Sequence, residues 1–389
     1  MKYVLSLAIV MGFMMIGEWV STKSKAYIPS VFVTAVLFLV GFWTIVPKNF
    51  VSTASFGTQF IGITQAVLLI HMGTLMNLKE LLAQWKAVVI ALTGVIGTVI
   101  FAMGIGLLLF DWHTVVASVP PLTGGLVAAF LMTAGLKAQH ITTLVAFPVA
   151  MFVVHSMLGY PLTSYMLKRE SKRLLKNYDP KAAEATAKLE AAKEKQSKKF
   201  SMPSSYKTSA YMIFKVAILT FLAEWVAALM HGVVNQYIIC LIFGVIAHQL
   251  GWLEDAILQK AGVFHWLMYG LLAYIFSNLN IVKPSMLVGI LVPIVTMIIL
   301  GVFGMLLASA LLAKPLGFSR EMAFASALTA LFGFPADYIV THEVAGIMGA
   351  DEGEQKYLLD NMLPKMLVGG FATVSVASVV IASIFLKLL

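Results

Sequence analysis

The chain has 389 residues, 60% apolar and 12% charged, with a mean hydropathy of +0.91 and a formal net charge of +9. A soluble protein of this length needs a charged surface, so the composition excludes one and predicts a chain solvated largely by lipid. The single cysteine, Cys240, lies in an apolar run, which excludes an intrachain disulfide and a cysteine-based metal centre.

A membrane span needs roughly 20 mostly apolar residues. In chain order such stretches occur at 3–21, 28–46, 58–77, 87–110 and 141–167. The first begins at Met1-Lys2, ends at Glu18-Trp19 and carries no small-residue cleavage pattern, so it reads as a retained span. A hydrophilic stretch at 168–208 follows, with 12 of the 27 Lys and Arg residues against 5 acidic ones. That density marks the cytoplasmic side, and it accounts for the basic balance without a nucleic-acid partner. Asp179-Pro180 is a helix-start signal inside it, and contact with anionic lipid headgroups is a second role for its charge. Further spans are expected at 209–233, 236–252, 262–281, 285–313 and 360–388. The positive-inside bias favours five crossings on each side of the basic stretch, with both termini outside.

The two halves resemble each other. Gly17-Glu18-Trp19-Val20 recurs as Ala223-Glu224-Trp225-Val226, and Leu75-Met76-Asn77-Leu78 as Asn278-Leu279-Asn280-Ile281. Ser118 and Gly125 align with Ser326 and Gly333, and Pro148 with Pro364. An odd number of crossings per repeat makes the repeats inverted, an arrangement that recurs in secondary transporters. The expected fold is therefore all-α and membrane-embedded. It has a first repeat over 1–167, a basic linker over 168–208 and a second repeat over 209–389.

Segments 114–137 and 322–343 are apolar but rich in Gly, Pro, Thr and Ser, and each is expected to be a broken helix or re-entrant hairpin. The first contains Ser118, Pro120-Pro121 and Thr123-Gly124-Gly125; the second contains Ser326, Gly333, Pro335 and Asp337. Unwound backbone at membrane depth is tolerated only inside protein or beside water, and its free groups suit ions and anionic solutes. Thr123, Gly124, Gly125, Gly333, Asp337 and Thr341 are the candidate solute-binding residues. Ser118, Ser326, Asp337, Asn77 and Asn280 are the candidates for ion coupling. Glu18 and Glu224 precede interfacial Trp residues and read as structural or dimer-facing. His71, His155 and His231 lack metal-ligand spacing, and His342 and Glu343 read as a cytoplasmic loop. A phosphate-binding loop, a nucleophile elbow and a His-Glu-x-x-His motif are all missing, so neither ATP-driven transport nor an enzymatic activity is expected.

The chain resembles the bacterial glutamate:sodium symporter family over nearly its whole length. The resemblance rests on Tyr27-Ile28-Pro29, Met72-Gly73-Thr74 to Asn77, the two glycine-containing segments, and Leu363-Pro364-Lys365-Met366 with Gly369-Gly370. The family's fuller polar motif in the first hairpin is here Gly124-Gly125-Leu126-Val127, which leaves the solute open. The resemblance implies a homodimer in a bacterial inner membrane, with a mobile domain that holds both hairpins and moves against a fixed one. The function expected is Na⁺-coupled symport of a small anionic solute by an elevator-type motion, with no organic cofactor. Two other readings stand beside it: a monovalent cation/proton antiporter, and a non-transporting sensor or assembly subunit on a carrier fold.

Overall fold

The computed structural model describes residues 1–75, 84–180, 206–230, 236–281 and 284–389. All regular structure among them is helical, with no strand. In chain order the first half holds α1 (Lys2–Lys23), α2 (Ser30–Thr44), α3 (Phe50–Thr53), α4 (Thr58–Gly73), α5 (Trp85–Leu109), α6 (Trp112–Ala138) and α7 (Phe147–Leu175). The second half opens with α8 (Ser209–Leu229), α9 (Gln236–Gln249), α10 (Ile257–Lys260), α11 (Phe264–Ser277) and α12 (Pro284–Ala313). It closes with α13 (Arg320–Leu328), α14 (Ala336–Met348), α15 (Glu352–Phe371) and α16 (Ser378–Leu386).

Four helices are long and apolar enough to cross a bilayer: α1, α5, α8 and the Gly289–Ala313 part of α12. At 1.5 Å per residue, the 25 residues of α5 reach about 37 Å, enough for the hydrocarbon layer with some tilt. The spans expected at 28–46, 58–77 and 236–252 coincide with the shorter apolar helices α2, α4 and α9. Two helices outrun their expected spans. α7 continues through Lys168–Arg173 to Leu175, where Glu170 and Arg173 pair across one turn at 2.6 Å. α15 begins eight residues before the expected span at 360, because Asp351 caps it by accepting from the Glu354 amide at 2.8 Å. Apolarity marks where lipid lies, whereas a capped or charge-paired helix runs on into water.

The order of the first half recurs in the second. A helix of 22 residues and one of 15 are answered by helices of 21 and 14. The four-residue helices α3 and α10 follow, and two residues beyond each the backbone turns to positive φ, at Ser55 (72°) and Gly262 (78°).

The described chain forms two compact units, and each draws on both halves. The first comprises Met1–Met11, Asn49–Ala83 and Tyr178–Ile275. There α4 and α9 meet backbone to backbone: a Cβ on Gly73 would stand 2.5 Å from the Val245 amide nitrogen. His71 on α4 is buried and accepts from the Leu258 amide at 3.2 Å, which satisfies a free donor at the start of α10. Lys215 on α8 donates to the Trp252 carbonyl (2.8 Å) and the Glu254 carboxylate (2.5 Å).

The second unit comprises Gly12–Lys48, Gln84–Asn177 and Phe276–Leu389. Its spine is the crossing of α5 with α12, where Gly97 and Gly304 face each other so closely that a Cβ on either would meet the other's carbonyl. Thr98 donates to the Gly301 carbonyl at 3.0 Å beside them. Small residues and an interhelical hydrogen bond are how helices associate in lipid, where apolar contact alone gives no preference for protein over solvent. The outward faces carry Ile96, Ile100 and Leu108 on α5 and Ile299, Phe303 and Leu311 on α12, all exposed as lipid-facing side chains should be.

Candidate functional site at two helix interruptions

The second unit contains both segments in which a break was expected, and both are broken. α6 starts at an N-cap, Asp111, whose carboxylate accepts from the Thr114 amide at 3.0 Å and the Thr114 hydroxyl at 2.7 Å. It then runs helically through Pro120 and Pro121. Each proline lacks the amide that would bond the carbonyl four residues earlier, so two carbonyls lose their helical partners. The Thr123 hydroxyl donates to the Val119 and Pro120 carbonyls at 3.1 and 3.2 Å. The interruption itself falls at Gly125 (φ 64°, ψ −146°), in a region open essentially to glycine.

α13 has the same plan. Its N-cap, Ser319, accepts from the Met322 amide at 2.9 Å and donates to Glu170 at 2.6 Å. Glu170 is 1% exposed and also receives both hydrogen bonds of the Arg173 fork, so the end of α7 fastens the start of α13. α13 tightens into the 3₁₀ turn Thr329–Leu331, breaks at Gly333 (φ 60°) and resumes as α14 after the cis Phe334–Pro335 bond. The two caps and the two positive-φ glycines are each 208 residues apart.

Both interruptions converge on one element. Between α15 and α16 the helix widens to the π turn Ala372–Ala377, a form associated with functional sites. Val374 in that turn is the nearest side chain to Gly125 and to Gly333. Gly124 packs on Ser378 just beyond it, and Gly369 packs on Ser326 and Thr329 just before it.

Asp337 lies at the start of α14 and is fully buried. Its Oδ1 accepts from the Tyr338 amide at 2.7 Å, and its position at a helix N-terminus favours negative charge. Oδ2 has no hydrogen-bond partner. It faces Gly370 so closely that a Cβ there would stand 2.5 Å from it, and the same Cβ would be 3.5 Å from the Gly333 Cα. A carboxylate oxygen without a partner in an apolar interior is costly and suits a cation or a proton. Hydroxyls surround this corner: Ser326 donates to the Lys365 carbonyl (3.1 Å), Thr329 to that of Ser326 (2.6 Å), Thr341 to that of Asp337 (2.6 Å) and Thr373 to that of Gly369 (3.0 Å). With their protons directed at carbonyls, their lone pairs remain available as acceptors.

Of the residues singled out from sequence, Gly124, Gly125, Gly333, Asp337 and Ser326 therefore share the neighbourhood of Gly369–Ser378, with Thr341 one turn beyond Asp337. Thr123 is adjacent in α6, and its hydroxyl donates to the Val119 and Pro120 carbonyls. Ser118 is buried and donates to the Val115 carbonyl at 2.7 Å, within its own helix. Asn280 donates to the Lys48 carbonyl at 3.3 Å, which ties the 3₁₀ turn Asn278–Ile281 to the loop before α3 rather than to an interruption. Asn77 lies outside the described residues, as does His231. Glu343, expected in a loop, is on α14, where its carboxylate accepts from the Ser30 amide (3.1 Å) and the Ser21 hydroxyl (2.9 Å). It thereby caps α2, whose own N-cap residue, Pro29, has no side-chain hydrogen bond.

One element was not anticipated as part of this region. α7 lies along both interruptions: Ser156 donates to the Leu331 carbonyl at 3.1 Å, Tyr160 packs on Phe332 at 5.0 Å, and the Phe152 ring comes within 3.9 Å of a Cβ placed on Gly125. His155 sits in the same stretch, fully buried. A lone histidine in an apolar run carries no signal of what it will face, so only the fold reveals it.

Among the described residues no cluster of three or more His, Cys, Asp or Glu side chains has the makings of a transition-metal site. In comparisons with known proteins, no protein-family model and no curated sequence matches the chain.

Proposed function

We propose that this protein is a secondary active transporter that moves a small anionic solute, a glutamate-like amino acid or a carboxylate, across the membrane together with Na⁺. The observation that carries the reading is the unpartnered, buried Asp337 Oδ2 at the point where two matched helix interruptions meet one π turn. A fold does not bury a bare carboxylate oxygen without cost, and a coupling cation removes that cost when it binds. Asp337 would supply the charge, with hydroxyl oxygens of Ser326 and Thr341 as further ligands. The half-helix following Gly125, with Thr123 and Gly124, would hold the solute.

The recurrent helix order and the reciprocal Gly97–Gly304 crossing support two five-span inverted repeats, with 114–137 and 322–343 as re-entrant hairpins. In this reading the second unit, which holds both interruptions, moves as one body while the first stays fixed and dimerises. The basic stretch 168–208 then lies on the cytoplasmic side of a bacterial inner membrane, and the chain is a divergent relative of the glutamate:sodium symporters.

The test is uptake into proteoliposomes. Radiolabelled L-glutamate and a dicarboxylate panel should enter only down a Na⁺ gradient, and Asp337→Asn should abolish the coupling. Uptake indifferent both to Na⁺ and to Asp337→Asn would refute the mechanism. The same bare carboxylate favours one second reading, a cation/proton antiporter. Na⁺-driven proton flux with no organic solute present would select it.

A further inference from the structure

His155 is used neither by the helix contacts nor by the ion step. It lies in the third turn of α7, its ring fully buried, and neither ring nitrogen makes a hydrogen bond of good geometry. The neighbours place it between the interruptions. The Pro121 carbonyl of the first broken segment lies beside the ring, close enough to draw its N–H but not aligned with it. Phe152, the nearest ring to Gly125, packs against it edge-on at 5.6 Å. Ser156, the next residue, is fastened to the Leu331 carbonyl of the second segment. A neutral imidazole presents one N–H donor and one lone-pair acceptor, and burying both without well-formed hydrogen bonds destabilises the fold. Packing alone would be served better by leucine or phenylalanine, so the ring needs a reason to be there.

We propose that His155 is a direct contact for the bound solute, its N–H donating to a carboxylate oxygen and its bare nitrogen accepting from a donor on the same molecule. This rests on the transport reading above and adds to it a residue from α7, outside both interrupted segments. Because one nitrogen donates and the other accepts, the site should prefer a solute that offers both an acceptor and a donor. L-Glutamate and 2-oxoglutarate test this well, since they share a carbon skeleton and two carboxylates and differ by an ammonium against a keto oxygen.

A structural role and a ligand role predict opposite signs for His155→Leu. If the ring only packs, the variant loses stability and keeps its response to solute. If the ring waits for a ligand, removing two poorly satisfied polar atoms raises the thermal midpoint of the empty protein and removes the response. The experiment is thermal unfolding of the purified full chain in detergent with Na⁺, titrated with L-glutamate, 2-oxoglutarate and glutarate. A ligand that binds the folded state raises the midpoint with concentration. We expect L-glutamate to protect the wild type at concentrations at least tenfold below 2-oxoglutarate. We expect His155→Leu to match or exceed the empty wild type in midpoint while needing at least tenfold more L-glutamate, and His155→Gln, which keeps a donor and an acceptor, to recover part of the response. A wild-type response retained by His155→Leu, or equal protection by the two probes, overturns the proposal and leaves the transport reading standing. A wild type that responds to none of the three overturns both.

Discussion

Gly125 and Gly333 share a positive φ and a neighbour, Val374, yet alanine should be tolerated differently at the two. At Gly125 a Cβ would stand 3.6 Å from Val374 and 3.9 Å from Phe152, both ordinary contacts. Gly125→Ala therefore meets no steric obstacle, and its cost is that of holding an L-residue at φ 64°, ψ −146°, about 1–3 kcal/mol. At Gly333 the strain is of the same kind, but a Cβ would also stand 2.8 Å from Val374 Cγ2 and 3.3 Å from its Cγ1. That overpacking adds about 1–3 kcal/mol, and all of it comes from one side chain. Val374→Ala removes both methyl groups concerned. In a double-mutant cycle it should restore roughly 1 kcal/mol or more to Gly333→Ala, while Gly125→Ala and Val374→Ala add to within about 0.5 kcal/mol. Reversible denaturation of the detergent-solubilised protein measures all six species. Equal coupling at the two glycines, or Gly125→Ala as stable as the wild type, would refute the assignment of strain to one site and strain plus clash to the other.

Two further outcomes follow from packing and charge. Gly97→Ala and Gly304→Ala should each lower the unfolding midpoint, because α5 and α12 must part for a Cβ to fit, at a cost of about 1–3 kcal/mol. Gly104→Ala on the same helix, where nothing lies within 4 Å, should be neutral or slightly stabilising, and indistinguishable alanine variants at 97 and 104 would defeat the crossing geometry. At the α9–α10 loop, burial pushes the Glu254 carboxyl up, but the hydrogen bond from Lys215, backbone contacts and the Lys215 and Lys207 charges outweigh it and hold the group below its ordinary value. A carboxyl depressed in the folded state contributes stability above the ordinary carboxylate range of about 4.3 and loses it as pH falls through the folded value. The gap in thermal midpoint between wild type and Glu254→Gln should therefore be full at pH 7 and narrow below about pH 4.5, and a gap independent of pH would sink the ion-pair account.

The interruptions were legible because glycine and proline act locally, through dihedrals and missing donors that neighbours cannot supply. Their exact positions were less so. Two adjacent prolines look like the break, yet the helix carries them and turns non-helical only at Gly125, where the absent Cβ opens a region closed to other residues. The π turn left no trace in sequence, since Ala372–Ala377 is made of small residues that any buried helix can hold. The carboxylate at 337 stood out as a charge in an apolar run, whereas its isolation depends on Gly370 approaching from a helix more than thirty residues away. Glu343 was read as loop because charge suggests water; it is instead a cap supplied to a distant helix.

The pairing of the halves constrains how the chemistry can be divided between them. Gly97 meets the Gly304 carbonyl and Gly304 meets the Gly97 carbonyl, so the contact is reciprocal. A self-complementary contact of this kind is what the proposed inverted repeats would produce at their axis. The capping residues Asp111 and Ser319 and the breaks at Gly125 and Gly333 share a separation of 208 residues, one more than that of Gly97 and Gly304. Side chains do not follow. The position matching Asp337 at that spacing is Ala129, fully buried and neutral, and the position matching Thr123 is Leu331. Electrostatics gives a reason. One carboxylate beside the π turn is tolerable when a cation or proton joins it, but a second in the same dry neighbourhood would force like charges together and oblige one to stay protonated. In the proposed inverted-repeat reading, the scaffold supplies two helix breaks and two sets of backbone groups, while a single titratable charge has to come from one half alone.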